Sequence, residues 1–154
     1  MKKLLLTVLA GALLTAPAMA ETTQRDLEVI GRALGFVEGA SGSSRVVAIV
    51  YDPGSEAEAQ ALAATMGGGL SAGRVTLTPR LVAASDTASL AGADAAVLLG
   101  SAAGDAGVFA ATSANGVMSV STDMSCVEAG QCVMGVQSAS ISFAAAFAMM
   151  VEEI

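Results

Sequence analysis

Three short apolar runs frame this chain: Val46–Tyr51, Ala93–Gly100 and Val117–Thr122. Each has strand length, and the first ends in Asp52-Pro53-Gly54, so they read as buried strands running into turns. Helical segments lie between them. In TQRDLEVIGRALGFV (23–37), Leu27, Ile30, Leu34 and Val37 recur at helical spacing with Arg25, Glu28 and Arg32 between them, although Gly31 and Gly35 weaken the helix. EGASGSS (38–44) is a loop. Ser55 stands where it can cap a helix that carries Glu56 and Glu58 in its first turn, runs to about Met66 and stops at Gly67-Gly68-Gly69. RVTLTPRLVA (74–83) reads as a strand that Pro79 marks as an edge or a break. Asp86 stands where it can cap a short helix through Leu90, and residues 101–114 are expected to form a small-residue helix.

Strands that alternate with helices pair in parallel through right-handed crossovers. The expected fold is therefore α/β: a single-domain three-layer sandwich with a mostly parallel sheet, a C-terminal disulfide-clamped hairpin and a terminal helix. For that helix, SISFAAAFAMMVEEI (140–154) sets Phe143, Phe147, Met150 and Ile154 on one stripe, with Met149 and Met150 as core filler.

The first 20 residues, MKKLLLTVLAGALLTAPAMA, have the three parts of a cleavable secretory signal: Lys2 and Lys3, an apolar run to about Leu14, and Ala18-Met19-Ala20. That run is shorter than the roughly 20 residues a membrane span needs. The expected product is a periplasmic domain of residues 21–154, released by cleavage near Ala20. It carries five arginines and no lysine against fourteen acidic residues, a formal charge of −9. Binding nucleic acid or anionic lipid depends on neutralising phosphates with Lys and Arg, so neither is an expected partner. An acidic surface also serves solubility alone.

Catalysis has little to rest on. Gly69-Leu70-Ser71-Ala72-Gly73 matches the G-x-S-x-G pattern of a nucleophile elbow, yet here a helix precedes and a strand follows, the reverse of what the elbow needs. The chain has no histidine to act as base, and no lysine follows the leader. A flexible glycine-rich connection is the expected role of this stretch. Gly100, Gly104 and Gly107 open a helix after a strand, where phosphate loops sit, but their spacing fits neither G-x-G-x-x-G nor a P-loop. Two thiols without histidine cannot supply a structural zinc site, and Asp86, Asp94, Asp105 and Asp123 are too isolated for a calcium loop. No catalytic residue, cofactor or metal ligand is assigned.

Both cysteines fall in STDMSCVEAGQC (121–132). A C-x5-C pair in an exported protein is expected to oxidise, and the spacing is not that of a thioredoxin-type couple. Val120 and Val133–Val136 flank the bend, and Glu128-Ala129-Gly130-Gln131 holds the glycine that a hairpin turn wants, so Cys126 and Cys132 are expected to face each other across a hairpin. Closing such a loop removes roughly 2 to 2.5 kcal/mol of unfolded-chain entropy. The bridge acts either as a plain staple or as a redox-sensitive clamp on a binding surface.

Four pieces of the chain, RALGFVEG, VVAIVYDP, STDMSCVEAGQCVMGVQS and ISFAAAFAMMVEEI, resemble the YfiR-like family of small secreted regulators. The block with Ser121, Asp123, Cys126, Gly130, Cys132 and Gly135 carries most of the likeness. The resemblance implies a non-enzymatic periplasmic regulator that binds the periplasmic part of an inner-membrane signalling protein, a diguanylate cyclase, and holds down its cyclic-di-GMP synthesis. It also implies that Cys126 and Cys132 form a C-terminal structural disulfide. The chain departs from the family pattern by running from Gln137-Ser138 almost directly into Ser140-Ile141, without a further strand. That leaves the 132–137 strand as an edge, on which a second copy or a partner can pair. The rival reading is a small-solute-binding domain resembling one lobe of a transporter substrate-binding protein, because βαβ units with small-residue loops also suit solute capture.

Overall fold

The computed structural model describes residues 22–36 and 43–136. The expected leader, its cleavage point, Val37 and the expected terminal helix lie outside the described residues.

Among the described residues six strands, β1 (Ser44–Tyr51), β2 (Leu70–Ala72), β3 (Val75–Ala83), β4 (Ala95–Leu98), β5 (Met118–Ser121) and β6 (Met134–Gly135), form one sheet in the order β2-β3-β1-β4-β5-β6. Every neighbouring pair is parallel except β2 with β3. Helices α1 (Gln24–Leu34), α2 (Glu56–Met66), α3 (Ala106–Ala114) and α4 (Met124–Glu128) are joined by two 3-10 turns, Thr87–Leu90 and Gly100–Gly104.

The central strand shows why both faces are covered. In β1 alternate side chains point to opposite faces. Val47 and Ile49 pack with Leu27 and Ile30 of α1 and Leu62 and Met66 of α2, whereas Ala48 and Val50 pack with Leu90, Ala102, Val108 and Cys126. Residues Val47 to Val50 are all fully buried, which is why the sequence reads there as an unbroken apolar run. Each fully buried Val, Leu or Ile contributes about 1.5–3 kcal/mol relative to exposure. The three-layer sandwich expected from the alternation is present.

The local chemistry of the ends explains most boundaries. Thr23 and Asp26 form a reciprocal capping box on α1: Thr23 N donates to Asp26 Oδ2 at 2.7 Å and Asp26 N to Thr23 Oγ1 at 3.3 Å. The helix expected over 101–114 is instead divided, because Asp105 accepts a hydrogen bond from Val108 N at 2.9 Å and starts α3 afresh. Pro79 lies in β3 beyond the last residue paired to β2. The amides of Thr76 and Ala84 donate toward β1, to the carbonyls of Ser43 just before it and Tyr51 at its end, so by strand alternation residue 79 turns its nitrogen away from β1, where a missing N–H costs nothing.

Two expectations are corrected. Residues 69–73 do not form a flexible connection; Leu70–Ala72 is β2, antiparallel to β3, with Ala72 opposite Val75. Gly73, at φ 65°, takes the first position of the two-residue loop, where hairpin geometry requires a positive φ. The second correction concerns the cysteine bend. Its flanking strands β5 and β6 are parallel, so the segment is a short βαβ crossover and not a hairpin. Asp123 caps α4, and Gly130, at φ 71°, ends it: Gln131 N donates to Cys126 O at 2.8 Å and Gly130 N to Val127 O at 2.9 Å, the Schellman pattern. The same glycine that suits a hairpin turn suits a helix terminus, and five helical residues are too few to show a period.

Gly31 is where α1 meets the sheet, and a Cβ there would overlap Ala72 Cβ and come 3.0 Å from the Ala72 carbonyl oxygen. Gly31→Ala gains about 1 kcal/mol of helix propensity. Overpacking against a strand that cannot yield costs about 1–3 kcal/mol and prevails. Thermal unfolding of the variant is expected at a lower Tm than wild type; an equal or higher Tm would contradict this packing.

Candidate functional site at the carboxyl edge of the sheet

In doubly wound sheets ligands settle outside the carboxyl ends of the strands, where successive crossovers part to opposite faces. Here β1 lies between β3 and β4, so that point falls between the ends of β1 and β4. A groove of about 740 Å³ opens there. Its walls are Asp52, Gly54, Ser55 and Glu58 after β1, Leu98 to Ser101 at the end of β4, and Ser121 to Ser125 after β5.

Asp52 joins the first two walls. Its Oδ1 accepts from Gly54 N at 2.8 Å, Ser55 N at 2.9 Å and Ser55 Oγ at 3.1 Å. Its Oδ2 accepts from both the amide and the hydroxyl of Ser101, each at 2.6 Å. Ser55 occupies the position before α2 but makes no side-chain cap bond there; its hydroxyl serves Asp52 instead. Gly100 makes the approach feasible, since its φ is 55° and a Cβ would stand 2.6 Å from Asp52 Oδ2. The hydroxyl and then the amide of Ser101 are the main causes that hold the Asp52 carboxyl at a pKa of about 2; partial desolvation opposes them, and Ser55 and Gly54 add to them. Backbone donors at the start of a helical turn after a strand are those a phosphate uses. The chain's own carboxylate takes the Ser101 donors.

The third wall holds residues singled out in the sequence. Ser121 is buried; its Oγ donates to the Leu98 carbonyl at 3.3 Å and accepts from Asp123 N at 3.0 Å. Asp123 Oδ1 accepts from Ser125 N at 3.0 Å and Ser125 Oγ at 2.6 Å. Ser121 and Asp123 thus line the groove. Cys126 follows Ser125 directly and forms a disulfide with Cys132, Cα to Cα 5.3 Å, so the wall made by Met124 and Ser125 is covalently anchored beside β6. Gly135 supports the wall from below, where a Cβ would press on Met124 Cε at 2.8 Å and Val127 Cγ2 at 3.1 Å. Gly130 ends α4 and is not among the groove-lining residues.

Asp52, Ser55, Glu58 and Ser101 were not apparent from sequence reasoning as site residues. The available signal was positional: DPGS and GS stand directly after two predicted strands. Asp52, Glu58 and Asp123 make the groove acidic, and no arginine is among the described residues that line it. Arg45 is the second residue of β1 and Arg74 sits in the β2–β3 turn, both at the opposite end of the sheet.

Neither family models, curated proteins nor solved structures match the chain. The fold and site define a mostly parallel α/β protein with an acidic carboxyl-edge groove. Among the described residues no helix is long and apolar enough to cross a membrane.

The Asp52 clasp has a pH signature. A carboxylate depressed in the folded state stabilises it above the unfolded pKa near 3.8, and that stability is lost as pH falls through about 2. Asp52→Asn is expected to destabilise the protein by about 1 kcal/mol at pH 7, a figure discounted for solvent screening. Denaturant titration should show the gap between wild type and variant closing from pH 4 to pH 2; a gap that stays constant would count against the clasp.

Proposed function

We propose that the protein is a non-enzymatic recognition module of the periplasm that binds and restrains the periplasmic region of an inner-membrane signalling protein, a diguanylate cyclase in the reading that the sequence resemblance implies. The observation that carries the proposal is the groove wall at Met124 and Ser125, anchored by the Cys126–Cys132 bridge. A covalent anchor next to a recognition surface limits the conformational freedom lost on binding. The bridge also fits an oxidising compartment, as does the leader pattern. The groove side chains named above are hydroxyls, carboxylates and apolar groups, which suit binding by shape and hydrogen bonds. Self-association of two copies along β6 is a further mode of the same module, because β6 stands at the end of the described sheet and Val133 beside it is 71% exposed.

A second reading, capture of a small solute, is favoured by the position of the groove at the point where the crossovers part. The two separate experimentally. Affinity capture from solubilised inner membranes, with the oxidised exported protein as bait, should recover a membrane protein with a cyclase domain. Recovery of no membrane protein, together with a thermal shift in a solute screen, would replace the regulator with the solute-binding domain.

A further inference from the structure

We propose that Asn115 is a site of spontaneous covalent modification: its side-chain amide converts to an acid through a cyclic imide formed with the Gly116 nitrogen, and the conversion loosens the end of α3. The inference stands apart from the recognition proposal. Residues 115 and 116 precede β5, at the amino end of the parallel strands, whereas the groove lies at the carboxyl end.

The helix terminus itself creates the labile pair. α3 ends in a Schellman motif, in which Val117 N donates to Thr112 O at 2.9 Å and Gly116 N to Ser113 O at 3.3 Å. That motif demands a left-handed residue, and Gly116 supplies it at φ 63°. Without a side chain, Gly116 also leaves its own nitrogen unshielded: beyond the adjoining residues, no atom stands within 4 Å of the place a Cβ would take. Asn115 and Gly116 are both exposed, and Asn115 is the sole asparagine of the chain.

In the reaction the Gly116 nitrogen gives up its proton and bonds to Asn115 Cγ; the Cγ–Nδ2 bond breaks, and ammonia departs with that proton. Water then opens the ring at either carbonyl, giving aspartate or, with the main chain rerouted through the side chain, isoaspartate. Either product loses the bond from Asn115 Nδ2 to the Ala111 carbonyl, 2.8 Å in the intact protein. Either also sets a negative charge at the carboxyl end of α3, where the helix dipole is already negative.

Ageing the oxidised chain in mildly alkaline buffer beside a synthetic peptide of residues 111–119, with both products mapped by mass spectrometry, tests the chemistry. Helix ends open at close to zero free energy, so residue 115 of the folded chain is expected to convert within about tenfold of the peptide's rate. Slower conversion than that in the folded chain overturns the site, and conversion at an equal rate in Asn115→Gln, whose longer side chain resists this ring closure, overturns the mechanism. Asn115→Asp reproduces the aspartate product, and its Tm is expected to fall by a few degrees. A Tm equal to or above that of wild type overturns the loosening of α3.

Discussion

The Asp52 carboxylate accepts hydrogen bonds from Gly54, Ser55 and Ser101, and through them the turn after β1 is fastened to the turn after β4. Parallel strands in adjacent register bring those two turns together, but register alone does not determine what occupies the gap between them. A phosphate or another anion fits such a gap in many α/β proteins. Here an internal carboxylate fills it, and Gly100 is the residue that lets it approach. The consequence runs from geometry to chemistry: the floor of the groove is already negative, and its nearest backbone donors are occupied.

The framework was legible in the sequence because burial on both faces leaves a plain mark. Val46–Tyr51 and Ala93–Gly100 had no polar face to disguise them, and helix α2 announced its end with three glycines. Short elements were not legible. β2 has three residues inside a glycine-rich stretch, and α4 has five, so neither spans two periods and no pattern repeats. Gly130 has the positive φ that a hairpin turn and a helix terminus both demand, so the residue alone does not tell the two contexts apart. The disulfide was legible because it needed only two oxidised thiols close in the chain, whatever lay between them.

The site was less legible for a physical reason. The bond between Asp52 and Ser101 joins residues 49 positions apart, and nothing local in DPGS distinguishes a clasp from a turn with a helix cap. In the sequence Ser121 and Asp123 stand out only as neighbours of the cysteines, with nothing to mark them as groove residues. Their place in the groove follows from β5 lying beside β4, a fact of strand order. The two halves meet in the groove, which is lined both by Met124 and Ser125 of the anchored α4 and by the Asp52 clasp. On the proposed function, the covalent anchor and the clasp together hold a recognition surface in one shape, so that a partner is selected by charge and contour.

The state of the Asp52 carboxyl tests this account most directly, and carbon-detected NMR titration of the side-chain carboxyls in the oxidised protein measures it. The account predicts a midpoint for Asp52 of about 2, below the ordinary 3.8, because Ser101 and its neighbours donate to the ionised form. A midpoint at or above 3.8 would mean that the Ser101 donors are free and that the groove is open to anions, and would contradict it.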